Sequence, residues 1–227
     1  MTSLAPVKRW VCLYAVAMAA VEAAVVVYLR ALHPGPAPVS VLLTVIPDRL
    51  VAVEVAREAA TLLMLLAVAR LAGATPWERF LYLSVAFGVW DVCYYIWLWI
   101  FIGWPPSLLT WDVLFLIPVP WFAPVLAPLV VSLALVAGSW WLLGRATRGA
   151  APGLARETWA LASLGAVLVL LSFTLDYRSV IARADPPPFR WGLFGSGVGL
   201  ATIAVWASDR FRARRQRAGP SQVTRGR

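Results

Sequence analysis

Apolar and polar positions alternate along this chain on the scale of whole helices. Runs of about 17 to 25 apolar residues, the length that crosses a hydrocarbon core of roughly 30 Å, recur between short segments rich in Pro, Gly and Arg. Six runs are present, at 11–29, 50–69, 80–102, 120–143, 159–175 and 191–207. They predict an all-α membrane protein, a six-helix transmembrane bundle forming one domain over 1–209, with a basic, disordered cytoplasmic tail over 210–227. The first run follows Lys8-Arg9 but approaches 20 residues and contains Glu22, so a retained signal anchor is expected rather than a cleaved signal.

The second run breaks the apolar pattern most sharply. At 100° per residue, Glu54, Arg57, Glu58 and Thr61 fall at about 0°, 300°, 40° and 340°, a single stripe on one helix face. A charge near the centre of a membrane helix costs about 2.5 to 3.5 kcal/mol on insertion scales, so such groups face a bundle interior or a wet cavity. Arg57 is spaced to pair with Glu54 at i, i+3, which leaves Glu58 as a second carboxylate on the same face. Either Glu58 is protonated, or another cation such as Arg178 or a bound ligand reaches it.

The third run repeats the pattern with different chemistry. Asp91, Tyr94 and Tyr95 share a face, Trp90, Trp97 and Phe101 extend it as an aromatic wall, and Asp91 lies close to the midplane. The segment leading into the fourth run is dense in proline, with Pro105, Pro106, Pro118, Pro120, Pro124 and Pro128. A continuous helix from Trp111 to Gly144 would measure about 51 Å, too long for one simple crossing. The prolines therefore predict a broken or re-entrant segment before the fourth span: residues 107–117 lie along the interface or re-enter, with a bend at 118–120. Pro-rich connectors are expected at 33–47 and 178–190.

Composition agrees with the membrane class: 61% of the 227 residues are hydrophobic and 14% charged, with a mean hydropathy of +0.77. Charge sets the orientation. Fourteen of the 20 basic residues flank one side of the six spans: Lys8, Arg9, Arg70, Arg79, Arg145, Arg148, Arg156 and the seven arginines from Arg210 onward. Five flank the other: Arg30, Arg49, Arg178, Arg183 and Arg190. The positive-inside rule then puts both termini in the cytoplasm. In that orientation Glu54, Arg57, Glu58, Asp112, Asp176 and Arg178 lie toward the outer side, and one outward-facing cavity reaching the midplane would collect them all.

Other chemistries find little support. Cys12 and Cys93 are isolated thiols within apolar runs. His33 is the single histidine, so neither a zinc nor a haem site is expected, and Arg57 opposes a hard-cation site within its stripe. Gly192, Gly195, Gly197 and Gly199 lie in an apolar run with no preceding strand, so Gly195-x-x-x-Gly199 predicts helix packing rather than a phosphate loop. The arginine tail predicts contact with anionic lipid rather than nucleic acid.

Arg57-Glu58-x-x-Thr61, Trp90-Asp91-x-x-Tyr94-Tyr95 and the run from Trp111 to Trp121 together resemble an uncharacterised family of small bacterial multi-pass membrane proteins. The resemblance covers the second to fourth helices. It implies a bacterial inner membrane and carries no activity.

Three function classes stay open. One is binding or acid–base processing of a lipid-soluble small molecule, with Glu58, Asp91, Tyr94 and Tyr95 as the reacting groups. Glu54, Arg57, Thr61, Trp90, Asp112, Asp176 and Arg178 would then surround the ligand. A second is a structural or accessory subunit with a membrane-complex partner, its buried charges fixing helix packing. A third is a proton-coupled transporter, which the bias of the polar residues toward one side disfavours. No particular cofactor is implied.

Overall fold

The computed structural model describes residues 4–32, 48–146, 156–182 and 187–218. Its architecture is all-α apart from one short hairpin. The elements are α1 (Leu4–Leu32), α2 (Asp48–Ala72), α3 (Pro76–Ile102), β1 (Trp111–Phe115), β2 (Trp121–Pro124), α4 (Leu126–Ala146), α5 (Arg156–Thr174), α6 (Tyr177–Ala182) and α7 (Trp191–Ala218). The connector at 33–47, with His33, and Arg183 lie outside the described residues.

Among the described residues, five helices are long and apolar enough to cross a membrane: 6–32 in α1, α3, 126–145 in α4, 156–180 from α5 into α6, and 191–208 in α7. Helix α2 matches them in length at 25 residues but carries the charged stripe that lowers its apolarity. Their exposed surfaces display Trp10, Leu63, Trp99, Leu133, Ile203 and Trp206, the apolar exterior expected of helices in lipid.

Side-chain size decides how closely these helices approach. Along α1, Val11, Ala15, Ala19 and Ala23 recur every fourth residue and are all buried. This narrow stripe lets α1 lie close against α3, where the Trp97 indole nitrogen donates to the Val16 carbonyl at 3.1 Å. Helix α3 has fixed ends. Thr75 and Glu78 form a reciprocal capping box, with Pro76 in the first turn. Gly103 closes the other end at φ 65°, its N–H donating to the Trp99 carbonyl.

The proline-rich segment is neither helical nor a simple bend. Residues 111–115 and 121–124 pair as an antiparallel hairpin, with Asp112 opposite Ala123 and an irregular register between Val113 and Phe115. Helix α4 therefore starts at Leu126 rather than at 120. Proline cannot donate to a helical ladder, and only Pro128, in the first turn where no such bond is required, is admitted. Phe115 belongs to a core shared by α1, α2, α3 and α4, whereas Ala123 belongs to a second core with α5 and α7. The hairpin thus ties the two halves of the bundle together.

Two further expectations need correction. Helix α7 continues through Arg210 to Ala218, because a stretch of Arg, Ala and Gln consists of good helix formers; residues 219–227 lie outside the described part. The packing glycine in α7 is Gly197 rather than Gly195 or Gly199. A Cβ on Gly197 would meet the Gly165 carbonyl of α5 at 2.7 Å, and a Cβ on Gly165 would meet the Gly197 carbonyl at 2.6 Å. Gly195 and Gly199, each two residues from Gly197, point roughly opposite and meet nothing within 4 Å.

These contacts predict opposite outcomes for one methyl group. Gly165→Ala forces two backbones apart and should destabilise by about 1–3 kcal/mol. Gly195→Ala should stabilise by roughly 0.5–1 kcal/mol through helix propensity. Thermal unfolding of the two detergent-solubilised variants checks both signs.

Candidate functional site

The charged residues of α1 and α2 meet at comparable depth. Glu22 lies ten residues before the end of α1 and Glu58 ten residues after the start of α2, each about 15 Å along its helix. Asp91 lies eleven residues from the end of α3, about 16 Å. All three carboxyl residues are at least 92% buried, with exposures of 7%, 6% and 8%.

Arg57 is the hub of the first cluster. Its guanidinium donates to Glu22 of α1 and, at 2.8 Å, to Glu54 one turn away. Thr61 completes the cluster by donating its hydroxyl to the other Glu22 oxygen at 2.9 Å. The expected Arg57–Glu54 pair is therefore present, and Glu22 joins it as a partner that periodicity within α2 could not reveal. Glu22 stands out in the sequence as a lone acid in an apolar helix. Only the tertiary fold pairs it with residues 35 and 39 positions away.

Glu58 points to the hairpin. Its Oε2 accepts the Leu116 backbone N–H at 2.9 Å, which satisfies an amide just beyond the end of β1. Arg178 does not reach it: that residue is exposed and donates to its neighbour Tyr177. Asp176 likewise stands apart, accepting two hydrogen bonds from Arg190 at 2.6 and 2.9 Å. Asp176 lies in the turn after α5 and Arg178 in α6, and neither lines the cavity.

Asp91 is positioned by a close helix crossing. A Cβ on Gly88 would meet the Ser132 carbonyl of α4 at 2.6 Å, so glycine lets α4 come near enough for the Ser132 hydroxyl to donate to Asp91 at 2.8 Å. One turn along α3, the Tyr95 hydroxyl donates to Asp112 of β1 at 3.1 Å. The aromatic wall is only partly as expected. Trp90 contacts Phe87, Tyr94 and Phe115, whereas Trp97 turns toward α1 and stacks on the exposed Phe101.

Between these groups lies a cavity of about 110 Å³, several times the roughly 10–15 Å³ that one water requires. Glu54, Arg57, Glu58, Trp90, Asp91, Tyr94, Tyr95 and Asp112 line it, joined by Glu22, Arg30, the β1 residues 113–115 and Leu116. Thr61 sits beside the cavity through its bond to Glu22. Arg30 was assigned by sequence only to the rim of α1; its guanidinium lies 4.1 Å from the centre of the Trp104 ring and attracts Asp112. The arrangement offers acids, hydroxyls and ring faces in a partly enclosed space, which suits ligand binding and proton exchange.

Compared with family models, curated proteins and solved structures, the chain matches none of them.

The Ser132–Asp91 bond predicts a local cost. Ser132→Ala leaves a buried carboxyl without its donor and should lower stability by about 1–3 kcal/mol. Ser196→Ala removes an exposed hydroxyl bonded to its own helix and should stay within roughly 0.5 kcal/mol. Parallel thermal melts make the comparison.

Proposed function

We propose that this integral membrane protein binds a lipid-soluble small molecule in the cavity between α1, α2, α3 and β1, with Glu58 and Asp91 exchanging protons and Tyr94 donating a hydrogen bond, while Tyr95 holds Asp112 in the wall. One observation carries this reading: acidic, basic and phenolic side chains from four elements converge on a single void inside an otherwise apolar bundle. A network built only to fix packing closes on itself. The Glu22–Arg57–Glu54–Thr61 cluster does so, and that supports a packing role for those four residues. Glu22, Glu54 and Arg57 also line the void, but Glu58 and Asp91 line it with only neutral donors hydrogen-bonded to them.

In this reading α2 is the sixth span, its stripe turned inward, and the hairpin re-enters from the outer side of a bacterial inner membrane with both termini cytoplasmic. Three features support it. The cavity groups cluster toward the end of α1, the start of α2 and the end of α3, which share one side in an alternating bundle. The Leu116 amide reaches Glu58, about 15 Å along α2, so the hairpin extends inward with its backbone groups engaged. The basic residues favour the opposite side as cytoplasmic.

Two measurements test this. Mass spectrometry of protein purified in mild detergent should find a copurified small molecule in the wild type and its loss from Glu58→Gln and Asp91→Asn variants that keep their melting temperatures; an empty wild-type cavity contradicts the binding role. In a Cys12→Ser, Cys93→Ser background, Ser107→Cys should react with an impermeant maleimide added outside intact cells. Labelling only from the cytoplasmic side overturns the orientation.

A further inference from the structure

The charge balance and ring faces of the cavity name a ligand class, an inference that rests on the binding function just proposed. Five carboxyl groups line the cavity against two guanidinium groups. Arg57 is taken up by Glu22 and Glu54, and Arg30 lies over Trp104 and attracts Asp112. Glu58 and Asp91 are held by neutral donors, the Leu116 amide and the Ser132 hydroxyl. A neutral donor orients a carboxyl group without cancelling a charge on it, so Glu58 and Asp91 are each balanced either by a proton or by a cation brought into the cavity, and a cationic ligand can take the place of the proton.

The geometry decides which cation. Among the described residues no group of three or more His, Cys, Asp or Glu side chains is placed to hold a metal ion. The cavity instead presents aromatic rings. Trp90 and Tyr94 stack with centroids 6.3 Å apart, Tyr95 meets Tyr94 edge-on at 5.0 Å, and Phe115 lies 6.2 Å from Trp90. Aromatic faces carry negative potential and attract diffuse organic cations, most strongly where water is excluded. Val26, Leu29 and Val51 complete the lining with apolar surface beside which an alkyl chain can lie.

We propose that the cavity binds the ammonium group of an amphiphile, with Asp91 and Glu58 as counter-charges and Trp90 and Tyr94 as the ring wall. The group can arrive on a single-chain amine or on the headgroup of a membrane phospholipid.

The test uses full-length protein in nanodiscs of anionic phosphatidylglycerol, titrated with dodecyltrimethylammonium, dodecanol or dodecyl sulfate and read by native mass spectrometry. One equivalent of the ammonium probe should bind at least tenfold more tightly than either of the others. Asp91→Asn should weaken it at least tenfold, and Glu58→Gln serves if the first variant does not fold. Displacement of the probe by nanodiscs of phosphatidylcholine assigns the site to a lipid headgroup; retention assigns it to a single-chain amine. If dodecanol binds as well as the ammonium probe and both carboxyl variants are indifferent, the cation assignment fails while the binding function stands. If no probe is retained and no molecule copurifies with the wild type, both fail.

Discussion

The bond from Arg57 to Glu22 is the constraint around which this bundle is organised. It joins α1 and α2, which pack on each other far less extensively than either packs on α3, and it does so about 15 Å from the helix ends. An isolated charge at that depth is strongly disfavoured, so each partner requires the other. Glu54 and Thr61 add a further partner to each side of the pair. With the rotation of α2 about its axis so fixed, Glu58, one residue beyond Arg57, faces the hairpin and the cavity rather than lipid.

From that constraint the site follows by packing. The alanine stripe of α1 admits α3 closely, and Gly88 of α3 admits α4 closely enough for Ser132 to reach Asp91. The hairpin then closes the remaining side, with Leu116 on Glu58 and Asp112 against Tyr95. Small residues thus set distances between helices, and polar residues set their rotation. The closed cluster around Arg57 thereby forms one part of the cavity wall, and Glu58 and Asp91, held by neutral donors, form another.

Much of this was legible in the pattern of residues. The helix-length apolar runs predicted the bundle, and the 100° rule placed Glu54, Arg57, Glu58 and Thr61 on one face because those residues share one helix. What lay beyond reach depended on contacts between elements. Glu22 is remote in sequence from Arg57, and Asp176 and Arg178 lie outside the cavity that the stripe lines. Proline density revealed a break before α4, but strand pairing between residues 111–115 and 121–124 is a choice between elements that proline alone does not specify. Gly197 was hidden among other glycines, since only the position of α5 distinguishes the face that is crowded.

The most direct measurement is a double-mutant cycle between Glu22→Gln and Arg57→Met, followed by reversible unfolding in detergent micelles. If the pair fixes the bundle, each single variant destabilises strongly, and the double variant loses less than their sum by about 0.5–3 kcal/mol. Strict additivity, with the two losses independent, would contradict the role given to this bond.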